Sequence, residues 1–326
     1  MTARAQQHDV GVPGVFTGGE PEGLIGIDIG GTKIAGLLVD GHGSVLARGS
    51  VPAPAALGGD AMADAAAGLV RDLAARAGMP VAGLGVGAAG VVDHATGTIR
   101  AASATFTGWA GYALADALTA RLAVPASVEN DVNAFLLGEV AADPGAGDDV
   151  LGVMLGTGVG GAIVIGGDLQ HGPHGAAGEI GHTPGYSDLV CTCGQVGHLE
   201  TLASGLSIAR RYAQRTGADS IDARAVADLA RAGDRDALEM FADAGRAVAL
   251  ACASAATLLD LPRAIVGGGV VAAWDLLRPS IEHTLITDAP VSGIPLVITP
   301  ARLGGDAVAL GAIEAARRTL ITAGAR

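Results

Sequence analysis

Lysine is all but missing from this sequence. One stands in 326 residues, at Lys33, and every other basic side chain is arginine. Acid outnumbers base, 33 Asp and Glu against 20 Lys and Arg, for a formal net charge of −13. A chain this short of positive charge has no basic face to lay along a phosphodiester backbone, so nucleic acid is not an expected partner. Aromatic residues make up only 3%, which leaves the core to Ala, Val, Leu and Ile with backbones packed close together. Three cysteines, two of them in Cys191-Thr-Cys193, cannot make a disulfide framework. No charged and then apolar leader opens the chain. The most apolar helix candidate, Ala247–Leu261, reads as too short and too interrupted to cross a bilayer. These absences predict a cytoplasmic protein with no membrane partner.

What is abundant is glycine and aliphatic carbon. Gly, at 52 residues, is about twice its usual share of roughly 7%. Hydrophobic residues reach 50% and charged ones 16%, enough apolar material for a large core and for two domains of common size.

Residues 1–23 mix Gly, Pro, Gln and charge without periodicity and read as a disordered or loosely ordered lead. From Leu24 the pattern is strand, Gly30-Gly-Thr-Lys33 turn, strand, with Asp28 inside the first apolar run. Strands and Ala-rich helices then alternate. Val124–Val128 runs into Glu129-Asn-Asp131 and a helix over 132–142, and the opening pattern returns as Leu151–Leu155, Gly156-Thr-Gly-Val-Gly-Gly161, Ala162–Ile165. At an offset of 125, Gly31-Thr32 falls on Gly156-Thr157 and Gly36 on Gly161. A repeat of that length implies two related lobes, and the alternation implies an α/β protein with mainly parallel sheets.

Two glycine turns across a cleft, at 30–33 and 156–161, suit a nucleoside triphosphate, and Gly267-Gly-Gly269 adds a third after an apolar strand. Neither a Rossmann fingerprint nor a Walker sequence is present. Asp131 stands at the carboxyl end of a strand, where open α/β sheets hold ligands, or else caps the helix that follows. Asp28 divides likewise between a turn acid and a magnesium-orienting group. Lys33 is either an assisting charge at the turn or a solvent-facing bystander. The sharpest local signal is Glu179-Ile-Gly-His182 with Cys191-Thr-Cys193 and His198-Leu-Glu200. Two Cys and two His in a short, Gly-punctuated loop match the four ligands of a structural zinc ion, with Glu179 and Glu200 interleaved to meet a hydroxylated ligand. Cys252 reads as packing.

These motifs resemble the ROK family of sugar kinases and sugar-responsive repressors over about Leu24 to Arg318. Asp28-Ile-Gly-Gly-Thr-Lys33 resembles the first phosphate motif, Gly87-Ala-Ala-Gly-Val-Val-Asp93 and Gly108-Trp109 the sugar-side segment, and Leu155-Gly-Thr-Gly-Val-Gly-Gly161 the second phosphate motif. Ile265-Val-Gly-Gly-Gly269 resembles the adenosine segment. The resemblance implies a two-lobed actin-like ATPase (ribonuclease H-like) fold, with 24–134 plus 305–326 as a small lobe and 135–304 as a large lobe carrying the zinc loop 179–200. It implies that Asp131 is the general base of phosphoryl transfer and that Gly90, Asn130, Asp131, Glu179, His182 and Glu200 hold the sugar. Asp28, Gly30, Gly31, Thr32, Lys33, Gly156, Thr157, Gly158, Gly160, Gly268 and Gly269 would meet ATP. His182, Cys191, Cys193 and His198 would ligate Zn2+, with Mg2+ serving catalysis.

Three departures from the family's pattern stand out. His198 replaces a common Cys, Thr105-Phe-Thr-Gly-Trp109 lacks an Asn found before Gly-Trp in many of the hexokinases, and Val91 follows Gly90 where some N-acetylmannosamine kinases carry Arg. The resulting expectation is an ATP-dependent kinase acting at the 6-hydroxyl of a hexose, glucose first. An N-acylhexosamine (N-acetylmannosamine or N-acetylglucosamine) is the alternative, favoured by Leu199-Glu-Thr-Leu-Ala-Ser-Gly205. A repressor of the family is disfavoured, because only 23 residues precede Leu24. The resemblance also implies a homodimer or homotetramer.

Overall fold

The computed structural model describes residues 22–143 and 147–324; the lead read over 1–23 lies, up to residue 21, outside the described residues. The chain divides into two compact units, whose described residues are 22–143 with 305–324 and 147–304.

The first unit opens with β1 (Gly23–Ile29), β2 (Lys33–Val39) and β3 (Val45–Pro52), followed by α1 (Gly59–Ala77) and β4 (Val81–Ala88). A small hairpin, β5 (Val91–Asp93) and β6 (Thr98–Ala101), precedes α2 (Leu114–Leu122), β7 (Ala126–Asn130) and α3 (Asp131–Ala142). That hairpin sits in a stretch whose sequence shows only turn signals. The sheet order is β3-β2-β1-β4-β7, antiparallel across the first three strands and parallel from β1 to β7.

The second unit carries β8 (Val150–Leu155), β9 (Val159–Ile165), β10 (Asp168–Leu169), α4 (Glu200–Ala203), α5 (Gly205–Thr216) and α6 (Ala223–Arg231). It continues with α7 (Arg235–Leu259), β11 (Arg263–Gly267), α8 (Trp274–Thr287) and β12 (Val297–Pro300). Its sheet runs β10-β9-β8-β11-β12, with the same alternation of antiparallel and parallel pairs. Ser204, Asp222 and Asp234 cap α5, α6 and α7 by accepting backbone N–H bonds. The chain then returns to the first unit as α9 (Ala307–Gly324).

The repeat is therefore one of whole sheets. It holds from the turn onward: β1 and β2 close on Ile29 opposite Ile34, β8 and β9 on Leu155 opposite Val159. The second turn is one residue shorter than the first, which displaces the preceding strand from the 125-residue offset.

The glycines explain how a core this poor in aromatics fills its volume. In β4, Leu84, Val86 and Ala88 join Ile25, Ile27 and Ile29 in the core on the α1 side. Gly83, Gly85 and Gly87 line the other face beside Leu24, Gly26 and Asp28. There the backbone of α9 lies directly on the strands. A Cβ on Gly26 would overlap the carbonyl of Ala309, and one on Gly85 that of Ala312. Helix α3 meets α9 the same way, since a Cβ on Gly311 would run into the carbonyl of Ala134 and one on Gly138 into that of Ala307. This packing puts α3, expected mostly in the large lobe, in the first unit.

The expectation for the apolar helix also needs correcting. At 25 residues α7 is long and apolar enough to cross a membrane, because the helix starts a dozen residues before the apolar run. It packs in the core of its unit, however, with Met240, Phe241, Ala244, Val248 and Cys252 buried. The Cys252 thiol is pushed up to about 12 by that burial alone.

Candidate functional site

In the first unit the expected residues gather at the carboxyl ends of β1, β4 and β7. The turn between β1 and β2 is tight: Gly30 N–H donates to the carbonyl of Lys33 at 3.0 Å, and the carbonyl of Thr32 accepts from Ala53 N–H at 3.0 Å. Thr32 and Lys33 are exposed. Asp28 lies one residue before the strand's end, half-buried, opposite Gly87 on β4. Desolvation raises its carboxyl to about 6, against the opposing pull of the Lys33 ammonium.

The capping job that the sequence left open for Asp131 falls to its neighbour Asn130. Asn130 caps α3, its Oδ1 accepting from Val132 N–H at 2.9 Å and Asn133 N–H at 3.1 Å. The cap is Asn130, not Asp131, because Asn130 has extended backbone angles whereas Asp131 is already the first helical residue. The amide of Asn130 also donates to the carbonyl of Gly90 at 2.9 Å and to Asp131 Oδ1 at 3.0 Å, and Val132 N–H donates to that same oxygen at 3.0 Å. Gly90 is required where it stands, with φ of +113° and no room for a Cβ against Ala101. Its neighbour is pinned as well: the indole N–H of Trp109, a side chain 1% exposed, donates to the carbonyl of Ala89 at 3.0 Å. Phe106 and Tyr112 stack on the indole at ring separations of 5.8 Å each.

In the second unit, the side chains of His182, Cys191, Cys193 and His198 bring one donor atom each to within 4.8 Å of all the others. His182 Nδ1 is 3.3 Å from His198 Nδ1 and 3.8 Å from Cys191 Sγ, and Cys193 Sγ is 3.3 Å from His198 Nδ1. Four ligands at Zn–N of about 2.0–2.1 Å and Zn–S of about 2.3 Å would stand about 3.3–3.8 Å apart, so this donor set fits a tetrahedral ion. His198 Nε2 lies 3.0 Å from Gln195 Oε1; the tautomer that donates there leaves Nδ1 free for ligation. Gln195 and Thr192 are functional neighbours that the sequence reading passed over, and no spacing signal marks either.

The second glycine turn closes with Gly156 N–H donating to the carbonyl of Gly158 at 2.9 Å. Its glycines serve different ends. A Cβ on Gly158 would collide with Glu200 Oε2, and Gly268, at φ of +88°, lies against the Leu155 backbone. Those two glycines let the protein pack. Gly156 and Gly269, like Gly30 in the first unit, have ordinary φ and almost nothing within 4 Å of an added Cβ, so each leaves bare backbone open to an approaching group. Thr157 is exposed and Gly160 lies in β9. Glu200, only 9% exposed, begins α4. Glu179 has exposed surface, yet the protein around it pushes its carboxyl up by desolvation; His182 opposes that shift and Glu200 adds to it.

Two cavities border the segment that carries the His182, Cys191, Cys193 and His198 cluster. The larger, about 420 Å3, is lined by Tyr186, Ser187, Arg211, Asp243 and Arg246 among others and contains none of the expected site residues. The smaller, about 190 Å3, touches Cys191, Thr192 and Glu200.

Two α/β units with one strand order, each opening on strand, glycine turn, strand, define the actin-like ATPase fold. The chain is 35% identical to a glucokinase from Streptomyces coelicolor over 317 residues, 90% of this chain and 97% of that one. It is 33% identical to an N-acetylmannosamine kinase from Shigella flexneri over 255 residues, 76% and 83% of the two chains. Its structure matches a ROK family glucokinase from Streptomyces griseus, solved in complex with glucose and AMPPNP, with a TM-score of 0.78 at 34% identity, covering 91% and 99%. The ROK family model matches residues 24–319, and the chain belongs to the ROK family. It is an ATP-dependent sugar kinase.

Proposed function

We propose that this kinase transfers the γ-phosphate of ATP to the 6-hydroxyl of glucose, with Asp131 as general base. The observation that carries the assignment is the division of labour at 130–131. Asn130 supplies the helix cap and holds one oxygen of Asp131, so the carboxylate is oriented without being the cap itself. A carboxylate at the start of α3 also lies where helical N–H groups favour negative charge. Asp131 takes the proton of the attacking hydroxyl, while Gly90, Asn130, Glu179, His182 and Glu200 orient the sugar. The open backbone at Gly30, Gly156 and Gly269 meets the nucleotide together with Gly31, Thr32, Lys33, Thr157, Gly158, Gly160 and Gly268, since phosphoryl transfer asks the protein mainly for positioning. Asp28 fits a magnesium-orienting group, because a half-buried carboxyl raised by desolvation gains from a cation beside it. Magnesium supplies neutralisation of the β- and γ-phosphate oxygens. The His182, Cys191, Cys193, His198 set would hold structural zinc, which would fix the loop leading into α4 and Glu200.

Glucose is favoured by the glucokinase relatives. An N-acylhexosamine is the second reading, favoured by the N-acetylmannosamine kinase at 33% identity. The reading extends to a cytoplasmic homodimer or homotetramer on the family pattern alone. A coupled ADP-release assay across glucose, mannose, N-acetylmannosamine and N-acetylglucosamine ranks the substrates by kcat/KM, with glucose expected first. In the same assay Asp131→Asn is expected to lower kcat by about 10²–10⁴-fold. Normal turnover in that variant would remove the base, and a higher kcat/KM for an acylated sugar would move the substrate to the second reading.

A further inference from the structure

The middle residue of Cys191-Thr-Cys193 has no place in the roles assigned so far. Its side chain nonetheless donates to Glu200, the buried acid that begins α4. Thr192 Oγ1 donates to Glu200 Oε1 at 2.7 Å, while Val159 N–H donates to Glu200 Oε2 at 3.0 Å. One carboxylate thus spans two structures. On one side is the loop that carries the four candidate metal ligands, whose Cys191 Sγ also lies 3.6 Å from Oε1; on the other is the first residue of β9, immediately after Gly156-Thr-Gly158. Gly158 is glycine because Glu200 Oε2 occupies the space a Cβ would need. The far end of the turn is tied to the same short helix region, since Gly205 N–H donates to the carbonyl of Gly156 at 2.8 Å.

A buried carboxylate is tolerated only when its lone pairs are met by well-aligned donors. Remove the hydroxyl and Oε1 loses its shortest bond, so the carboxylate has reason to turn toward the remaining donors. Any such turn moves the acceptor of Val159 N–H, and with it the backbone of the glycine turn. We propose that Thr192 is a positioning residue. Through Glu200 it fixes the backbone of the 156–159 turn, coupling the shape of the candidate metal loop to nucleotide affinity. This rests on the reading of that turn as a phosphate contact.

The test is nucleotide affinity, measured calorimetrically with a non-hydrolysable ATP analogue on the full-length, metal-loaded protein. Thr192→Val, which keeps the shape and removes the hydroxyl, is expected to weaken binding roughly 5- to 20-fold, a part of the full worth of one hydrogen bond to a charged group because the effect reaches the nucleotide only through Glu200. Thr192→Ser is expected to restore it, and metal content measured by atomic emission is expected to match the unsubstituted protein in both. Unchanged affinity in Thr192→Val at full metal content overturns the proposal. So does equal weakening in Thr192→Ser, because bulk at the position would then be the cause. Thr157→Ala keeps the two readings apart. If it leaves nucleotide affinity untouched, the phosphate turn itself is misassigned; if it weakens binding while Thr192→Val does not, only the coupling fails.

Discussion

At the scale of single residues, Asp28 combines a cost with a use. Its folded pKa, about 6, lies above the ordinary 3.8 because burial disfavours the charged form. Between those two values the folded chain holds the proton more firmly than the unfolded one, so stability falls as pH rises through that window and stays lower above it. Asp28→Asn is therefore expected to raise the stability of the substrate-free protein by about 3 kcal/mol at pH 7.5. The gain should shrink as pH falls through 6 and vanish below about 4, while activity is lost. Thermal melts across that pH range check the sign, and a gain independent of pH would mean that charge is not its source. The neighbouring pair Asn130-Asp131 marks a limit of sequence at this scale. Both residue types cap helices well, and adjacency cannot say which does. The decision is made by the carbonyl of Gly90, forty positions away in the chain, which accepts from Asn130 and holds it outside the first turn.

Among the elements, strands announce themselves and crossings do not. Strand, glycine turn, strand is legible at 24–39 and at 151–165 because alternation and turn chemistry are local. So is the gathering of His182, Cys191, Cys193 and His198, whose types and spacing restrict the partners they can take. The contact of α3 with α9 is invisible in sequence. Gly138 and Gly311 lie in separate Ala-rich helices, and nothing local marks either as a point where backbones touch. Gly311→Ala places a methyl group against the backbone of Ala134 and Gly138, and is expected to cost about 2–3 kcal/mol by overpacking. Since α3 begins at Asp131, turnover should fall with it. A denaturant midpoint equal to that of the unsubstituted protein would show that the crossing relaxes without strain.

For the molecule as a whole, a bound metal is a stability term as well as a local fitting. A ligand present at about 1,000 times its dissociation constant adds about 4 kcal/mol to the folded state. Purified protein is expected to carry about one zinc per chain, and prolonged chelation should lower its melting temperature. Hydrogen exchange should then quicken over 182–203 while β1 and β4 stay protected. Protein that contains no zinc as purified, and melts identically with and without chelator, would dismiss the metal.

The return of α9 to the first unit sets an order in time. Gly26 leaves the ribosome long before Ala309, the residue whose backbone covers it. At about 5–20 residues per second the glycine-lined face of β1 and β4 waits roughly 15–60 s for its cover. The whole second unit is synthesised in that interval. Between Leu24 and Asp28 that face offers only glycine, which leaves a wrong partner little to hold, so the same glycines that admit the helix also keep the open strands a poor surface for clustering while they wait.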